Sequence, residues 1–229
     1  MNWVLNSLIG YDMITAEQLR CKVRQLINES NDDAAVTLLT DDTKMLDRHI
    51  DALMPDAVLL VQRNKAVGAV NPKSAVAAAV PNENDGAGYI LLPDDFVQLL
   101  SLRMSGWSAP CRRVYAANSQ VALMQHNRYT RSGGVRPVCS EDILPSGERC
   151  LRYWWLPKGE QPVVEHFIYE ARYDAVKGLS GDDEALHKAV AYYCAALLMN
   201  IFGRGDMAAV FMNTAAALCT NVEHTNEKQ

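Results

Sequence analysis

Long hydrophobic runs are missing from this chain. The longest, AVAYYCAALLM over residues 189–199, has eleven residues, well short of the ~20 that span a bilayer, and reads as a buried helix. The opening MNWVLNSLIGYDMI carries neither a basic segment nor a small-residue cleavage pattern, so no export signal is expected there. An excess of positive charge is missing too. Lys and Arg total 22 against 27 Asp and Glu, for a formal net charge of -5 and a pI of about 5.5. That argues against a protein that coats nucleic acid through a broad basic surface. Paired cysteines are also absent: the six stand at 21, 111, 139, 150, 194 and 219, with no C-x-x-C. Their density is too low for a disulfide scaffold, and they read as scattered small hydrophobes in a reducing compartment. Apolar residues, by contrast, are plentiful. At 49% hydrophobic and 21% charged, 229 residues bury enough surface to offset their ordering entropy, which rules out disorder as the main state.

Chemical motifs are equally scarce. A zinc site needs Cys and His at close spacing. Here the nearest cysteines, Cys139 and Cys150, are eleven residues apart, and His49, His126, His166, His187 and His224 stand singly. No G-x-S-x-G elbow occurs. The DGAGY segment at 85–89 lacks the third glycine of a dinucleotide fingerprint, and NPKS at 71–74 lacks the glycines that expose amides to phosphate. The acidic pairs Asp41/Asp42, Asp94/Asp95 and Asp182/Asp183 each precede a candidate helix and suit its first turn better than paired catalysis. The RGD tripeptide at 204–206 falls in a turn between helices and reads as coincidence. Cys111 and Cys139 stay open as nucleophiles with partners distant in sequence, beside their ordinary reading as structural or surface cysteines. No catalytic residue, metal or cofactor is expected, and the chain is not expected to be an enzyme.

What is present falls into three regimes. The first, residues 12–87, is helical. Thr15 and Gln18 form a candidate capping box ahead of Leu19, Val23 and Leu26. A second helix starts near Asp41 or Asp42 and places Leu46, Ile50, Leu53, Ala57 and Leu60 on one face. Pro55 either kinks it or opens a fresh helix. Residues 68–87 look like a mobile connection, with SAVAAAV unassigned. The second regime, residues 88–176, is β-rich. Strands are expected near 89–92, through LLSLRM, and at 112–115, 135–139, 150–156 and 163–173, the last two joined by PKGEQP as a hairpin. The third, residues 177–222, is an αα-hairpin. Leu186, Val190, Tyr193, Leu197 and Ile201 share a face of its first helix, and Met207, Phe211, Ala215 and Leu218 follow in the second. The fold class is therefore α+β: a helical bundle of the N-terminal helices and the C-terminal hairpin, with the β-rich segment inserted between them.

The positive charge concentrates in the middle regime. Arg103, Trp107, Arg112, Arg113, Tyr115, Asn118, Arg128, Tyr129, Arg131 and Arg136 lie there among further amides. Arginines and aromatics supply planar contact and many donors, so these residues form a candidate protein interface. The same set suits stacking on single-stranded nucleic acid, or simply solvated loops and strand edges.

Three stretches carry a family resemblance: LPDDFVQLLSLRMSGW at 92–107, NSQVALMQHNRYTRSGGVRPVC at 118–139 and YYCAALLMNIFGRGDMAAVFMNTA at 192–215. Together they resemble the head–tail connector (adaptor or neck-ring) proteins of tailed bacteriophages. The resemblance implies a homo-oligomeric ring of about twelve copies with heterologous contacts. It implies a portal protein above, a tail or second ring protein below, and DNA passing without sequence-specific binding. It also implies a place in the virion neck after synthesis in the host cytoplasm, no membrane, no cofactor and no catalysis. Within it, Pro93 and Trp107 bracket a segment that forms the insertion, and Arg131, Arg136 and Pro137 shape its loops. Only a short polar tail follows Leu218, where some connectors send a long tail to the portal, so an N-terminal segment or a loop is the alternative contact. Outside the resemblance, a small cytoplasmic enzyme with a dispersed active site and a monomeric protein-binding module remain the other readings.

Overall fold

The computed structural model describes residues 14–29, 40–66, 68–81, 86–127, 129–157, 162–181 and 183–220. The fold is mixed α+β. In chain order its elements are α1 (Ala16–Glu29), α2 (Thr40–Asn64), β1 (Pro72–Ser74), β2 (Ala79–Pro81), β3 (Gly88–Leu91), β4 (Phe96–Met104), β5 (Val114–Ala116), α3 (Gln120–Met124), β6 (Cys139–Ile143), β7 (Arg149–Tyr153), β8 (Val164–Ala171), α4 (Glu184–Ile201) and α5 (Gly205–Thr220). They form two compact units. A helical unit takes the described residues up to Asn71 and from Arg172 onward, and a β unit comprises Pro72–Ala171. No helix among the described residues is long and apolar enough to cross a membrane.

The helical unit is built on local periodicity. The Thr15 amide donates to Gln18 Oε1 at 2.9 Å and the Gln18 amide to Thr15 Oγ1 at 3.2 Å, closing the capping box that starts α1. Leu19 and Val23 of α1, Ile50, Met54, Val58 and Val61 of α2, and Leu186, Val190, Cys194 and Leu198 of α4 make one buried core with Phe211 and Ala215 of α5. Arg24 clamps Asp47 through two bonds of 2.8 and 2.7 Å, tying α1 to α2. Pro55 does not open a fresh helix: α2 runs continuously through it. Proline costs the bond to the carbonyl four residues back, and both Pro55 and Asp51 lie on the exposed face, where that carbonyl is open to solvent.

Two faces differ from the expected ones. In α2 the expected Ile50 and Ala57 are fully buried, but the rest of the buried line is Met54, Val58 and Val61, while Leu46, Leu53 and Leu60 pack at its flank. In α4, Leu197 is half-buried and Ile201 exposed, whereas the adjacent Leu198 is fully buried. A helix buried on most sides has a weak apolar stripe, so spacing alone misplaces its centre. Asp183 caps α4, accepting from the Ala185 and Leu186 amides at 3.0 and 3.1 Å. Ser180 donates to Asn71 Oδ1 at 2.8 Å, and Asn71 Nδ2 donates to the Arg172 carbonyl at 2.7 Å. The buried Asn71 side chain thus joins the two points where the chain leaves and re-enters this unit. Gly178 has φ +81°, and a Cβ there would run into the Ile14 carbonyl, which pairs with the Leu179 amide at 3.0 Å.

The β unit starts at Pro72 rather than residue 88 and ends at Ala171 rather than 176. Its boundary strand β1 pairs residue by residue with β8, Pro72 opposite Glu170 and Ser74 opposite Ile168. A three-residue strand leaves almost no period to read, which is why the segment resembles a connection. The unit holds two sheets, ordered β1-β8-β4 and β2-β3-β7-β6-β5. β7 and β8 are therefore not a hairpin: β7 pairs with β3 and β6, and β8 with β1 and β4. Val135 lies in a turn, and the strand expected over 135–139 starts only at Cys139. Asp94 and Asp95 precede a strand instead of a helix. Three register shifts in β4 explain its mixed period: its buried residues are Phe96, Leu99, Leu102 and Met104, a helix-like spacing imposed by bulges. Phe96, Phe167 and Tyr169 stack at centroid distances of 5.3–6.3 Å in the core.

Candidate protein interface on the β unit

The arginines of the β unit divide into paired and unpaired sets. Arg103 on β4 pairs with Glu165 of β8 at 2.8 Å, and Arg152 with Asp142 at 2.6 Å. Arg149 holds Glu141 through two bonds of 2.9 and 2.6 Å and lies over the Phe96 ring. Lys73 likewise meets Asp95 at 2.6 Å, and Tyr169 donates to the other oxygen at 2.8 Å. Burial opposes the Asp95 charge, but these two bonds outweigh it and hold the carboxyl below its ordinary pKa. Burial, aided by Asp95, pushes the Tyr169 phenol up to about 12. Arg112, Arg113 and Arg136 are exposed and make no side-chain hydrogen bond or ion pair among the described residues.

The expected interface residues separate accordingly. Arg112 and Arg113 immediately precede the edge strand β5, which carries the half-buried Tyr115. Asn118 is exposed just before α3, whose cap is Ser119 accepting from the Ala122 amide at 3.3 Å. Tyr129 is 94% exposed, in the loop after α3. With exposed Leu123 and Met124 it gives α3 and this loop an apolar surface. Arg131 serves the loop itself, donating from Nε to the Gln125 carbonyl at 2.9 Å. Arg136 closes a turn, its amide donating to the Gly133 carbonyl at 3.1 Å. Trp107 is a correction: it is buried, and its indole N–H donates to the Trp155 carbonyl at 2.8 Å, so it belongs to the core. Arg128 lies outside the described residues.

Gln125 is the residue that sequence reasoning missed. Buried, it donates to the Val121 carbonyl at 3.0 Å and accepts from the Ser132 amide at 2.8 Å. Together with Thr130, which donates to the Met124 carbonyl at 2.6 Å, it folds the polar loop without regular structure. A glutamine followed by a Gly-Gly pair is too common a pattern to have signalled this.

Two hollows flank these features. One, of about 350 Å³, runs between residues 96–99 of β4 and β5, with Arg112 and Glu141 at its rim. The other, of about 200 Å³, is lined by His126, Arg131, Arg152, Tyr153 and Trp154. His126 stands edge-on to Trp154 at 4.5 Å. Neither holds a nucleophile beside a base.

The fold does bring some reactive groups together. Cys111 and Cys139, distant in sequence, share a hydrogen bond inside the apolar core. That bond lowers the Cys111 thiol, while burial pushes Cys139 well above its ordinary pKa. Ser101 Oγ lies 2.7 Å from His166 Nε2 across β4 and β8, but no carboxylate among the described residues orients the imidazole, and neither residue lines either of these two hollows. Among the described residues no three His, Cys, Asp or Glu converge as metal ligands. Compared with known protein families and with curated proteins, the chain matches none.

Proposed function

We propose that this chain is a subunit of a head–tail connector ring in a tailed bacteriophage, joining the portal to the tail. The observation that carries the reading is the architecture of the chain. Residues of α1 and α2 share one buried core with residues of α4 and α5, and the chain leaves this unit at Asn71 and returns to it at Arg172. A β segment inserted between helical ends is compatible with the resemblance in residues 92–139 and 192–215. The exposed Arg112, Arg113 and Arg136 and the apolar Leu123, Met124 and Tyr129 suit protein neighbours in such a ring. The net charge of -5 suits a lumen through which DNA passes, because a wall of like charge disfavours sticking. The subunit is a structural virion protein at the neck, with no turnover of its own. Fluorescently labelled or gold-labelled protein in purified virions tests this. Label at the portal vertex is expected; label missing from particles, or spread through the capsid, ends the assignment.

A further inference from the structure

We propose that the open edge of β5 docks an acidic, extended segment of a protein partner, added as a strand beside Val114–Ala116 and gripped by Arg112 and Arg113. The proposal rests on the reading above only in that the β unit meets other proteins.

Three observations converge on this edge. The five-stranded sheet ends at β5, which pairs with β6 on one side and with no strand on the other among the described residues. An open edge offers main-chain donors and acceptors to an incoming strand. Pairing has a defined end, because the Ala116 carbonyl already accepts from the Ser119 amide at 2.9 Å. Beside the edge lies the hollow of about 350 Å³, walled by Val97, Gln98 and Tyr115 over buried Phe96 and Leu99, roomy enough for a side chain of an added strand.

Charge then selects the occupant. Glu141, the carboxylate at the rim, is neutralised by its two bonds to Arg149. Arg112 and Arg113 are exposed and unpaired among the described residues, so the local balance is positive and asks for carboxylates. The backbone that carries the arginines is held in place. Cys111 exchanges two backbone bonds of 2.7 and 2.8 Å with Leu102 of β4, and its thiol donates to the Arg113 carbonyl at 3.2 Å. A fixed backbone lowers the ordering cost of binding. Single-stranded nucleic acid fits less well: Trp107 is buried, Tyr115 is half-buried, and two cations make a short phosphate track.

The test titrates the full chain with a fluorescein-labelled peptide of about eight alternating glutamates and valines, read by anisotropy. Saturable binding is expected. The double variant Arg112→Glu/Arg113→Glu weakens it at least tenfold with an unchanged thermal midpoint, since both side chains are exposed. The same peptide N-methylated at alternate amides also loses at least tenfold, which separates strand addition from charge attraction alone. Hydrogen exchange of the β5 amide that faces the open edge slows in the complex. The proposal is overturned by no saturable binding at millimolar peptide, by equal affinity for the double variant, or by equal affinity of the N-methylated peptide. It is also overturned if an oligothymidylate of equal charge binds more tightly and displaces the peptide. Virion labelling is scored separately: neck label with no peptide binding removes the docking mode alone, and peptide binding without neck label removes the connector reading alone.

Discussion

The helical unit and the β unit solve the same problem in different ways. In the helical unit the core comes from stripes within single helices, and α4 buries residues on most of its circumference. In the β unit the core comes from two sheets whose strands meet partners far away in sequence. β4 reaches β8 some sixty residues on, with three register shifts along the way. The polar groups differ as well. The helical unit spends them on caps and on the Arg24–Asp47 clamp. The β unit pairs Arg103, Arg149 and Arg152 yet leaves Arg112, Arg113 and Arg136 without partners among the described residues. Unspent cations on an edge and a loop contribute little to folding, so this contrast separates side chains that hold the fold from side chains that do not.

Truncating α4 puts that contrast to its severest test. Leu198→Ala is expected to cost about 2–5 kcal/mol, because the side chain is fully buried. Its neighbour Leu197, half-buried, should cost clearly less. Urea unfolding of the two variants checks this, and equal losses would mean the core line of α4 is misplaced. Next comes the loop after α3. Gln125→Ala strands the Ser132 amide and the Val121 carbonyl, an expected loss of about 1–3 kcal/mol, although no regular element is touched. A loss near zero would show that the loop is not held by this side chain.

The pH response probes the β side. The folded pKa of Tyr169 is raised to about 12, above the unfolded value near 10. Its contribution is therefore complete below pH ~10 and is lost as pH climbs through about 12. Asp95 has the opposite sign: its folded pKa is depressed, so its contribution holds above pH ~4 and fades as pH falls below that. Tyr169→Phe should remove one late-titrating phenol from the absorbance titration at alkaline pH and flatten the alkaline loss of stability. Amplitude lost near pH ~10, with the late-titrating part unchanged, would contradict the burial of Tyr169 and its bond to Asp95. The smallest effect separates the two arginine classes. Arg112→Ala should leave stability within about 0.5 kcal/mol, while Arg149→Ala, which loses Glu141 and the Phe96 ring, should cost about 1 kcal/mol. Equal thermal shifts would erase the distinction.

Elements with a strong local signal are legible in the residues alone. The capping box at Thr15 and Gln18, the helix spacing around Ile50 and Val190, and the aromatic strand containing Leu151 and Tyr153 all occur. Elements whose signal is short or displaced are not. The three residues of β1 carry no period, the bulges of β4 imitate a helix, and α3 is only five residues long. Within the candidate interface, exposed Arg112, Arg113 and Tyr129 can be anticipated from composition, but the burial of Trp107 cannot. A tryptophan suits a core and an interface equally until the Trp155 carbonyl is placed beside its N–H.

The α+β class, the helices at either end and the positive charge gathered in the middle follow from the order of residues, because each of these is written in close neighbours along the chain. Pairing is settled in three dimensions. The folded chain sends β7 and β8 to different sheets, brings Cys111 to Cys139 and Ser101 to His166, and leaves β5 with one open edge among the described residues. It also chooses which arginines meet a carboxylate, since a salt bridge depends on strand register, and register is set by how two distant segments bury their apolar faces together.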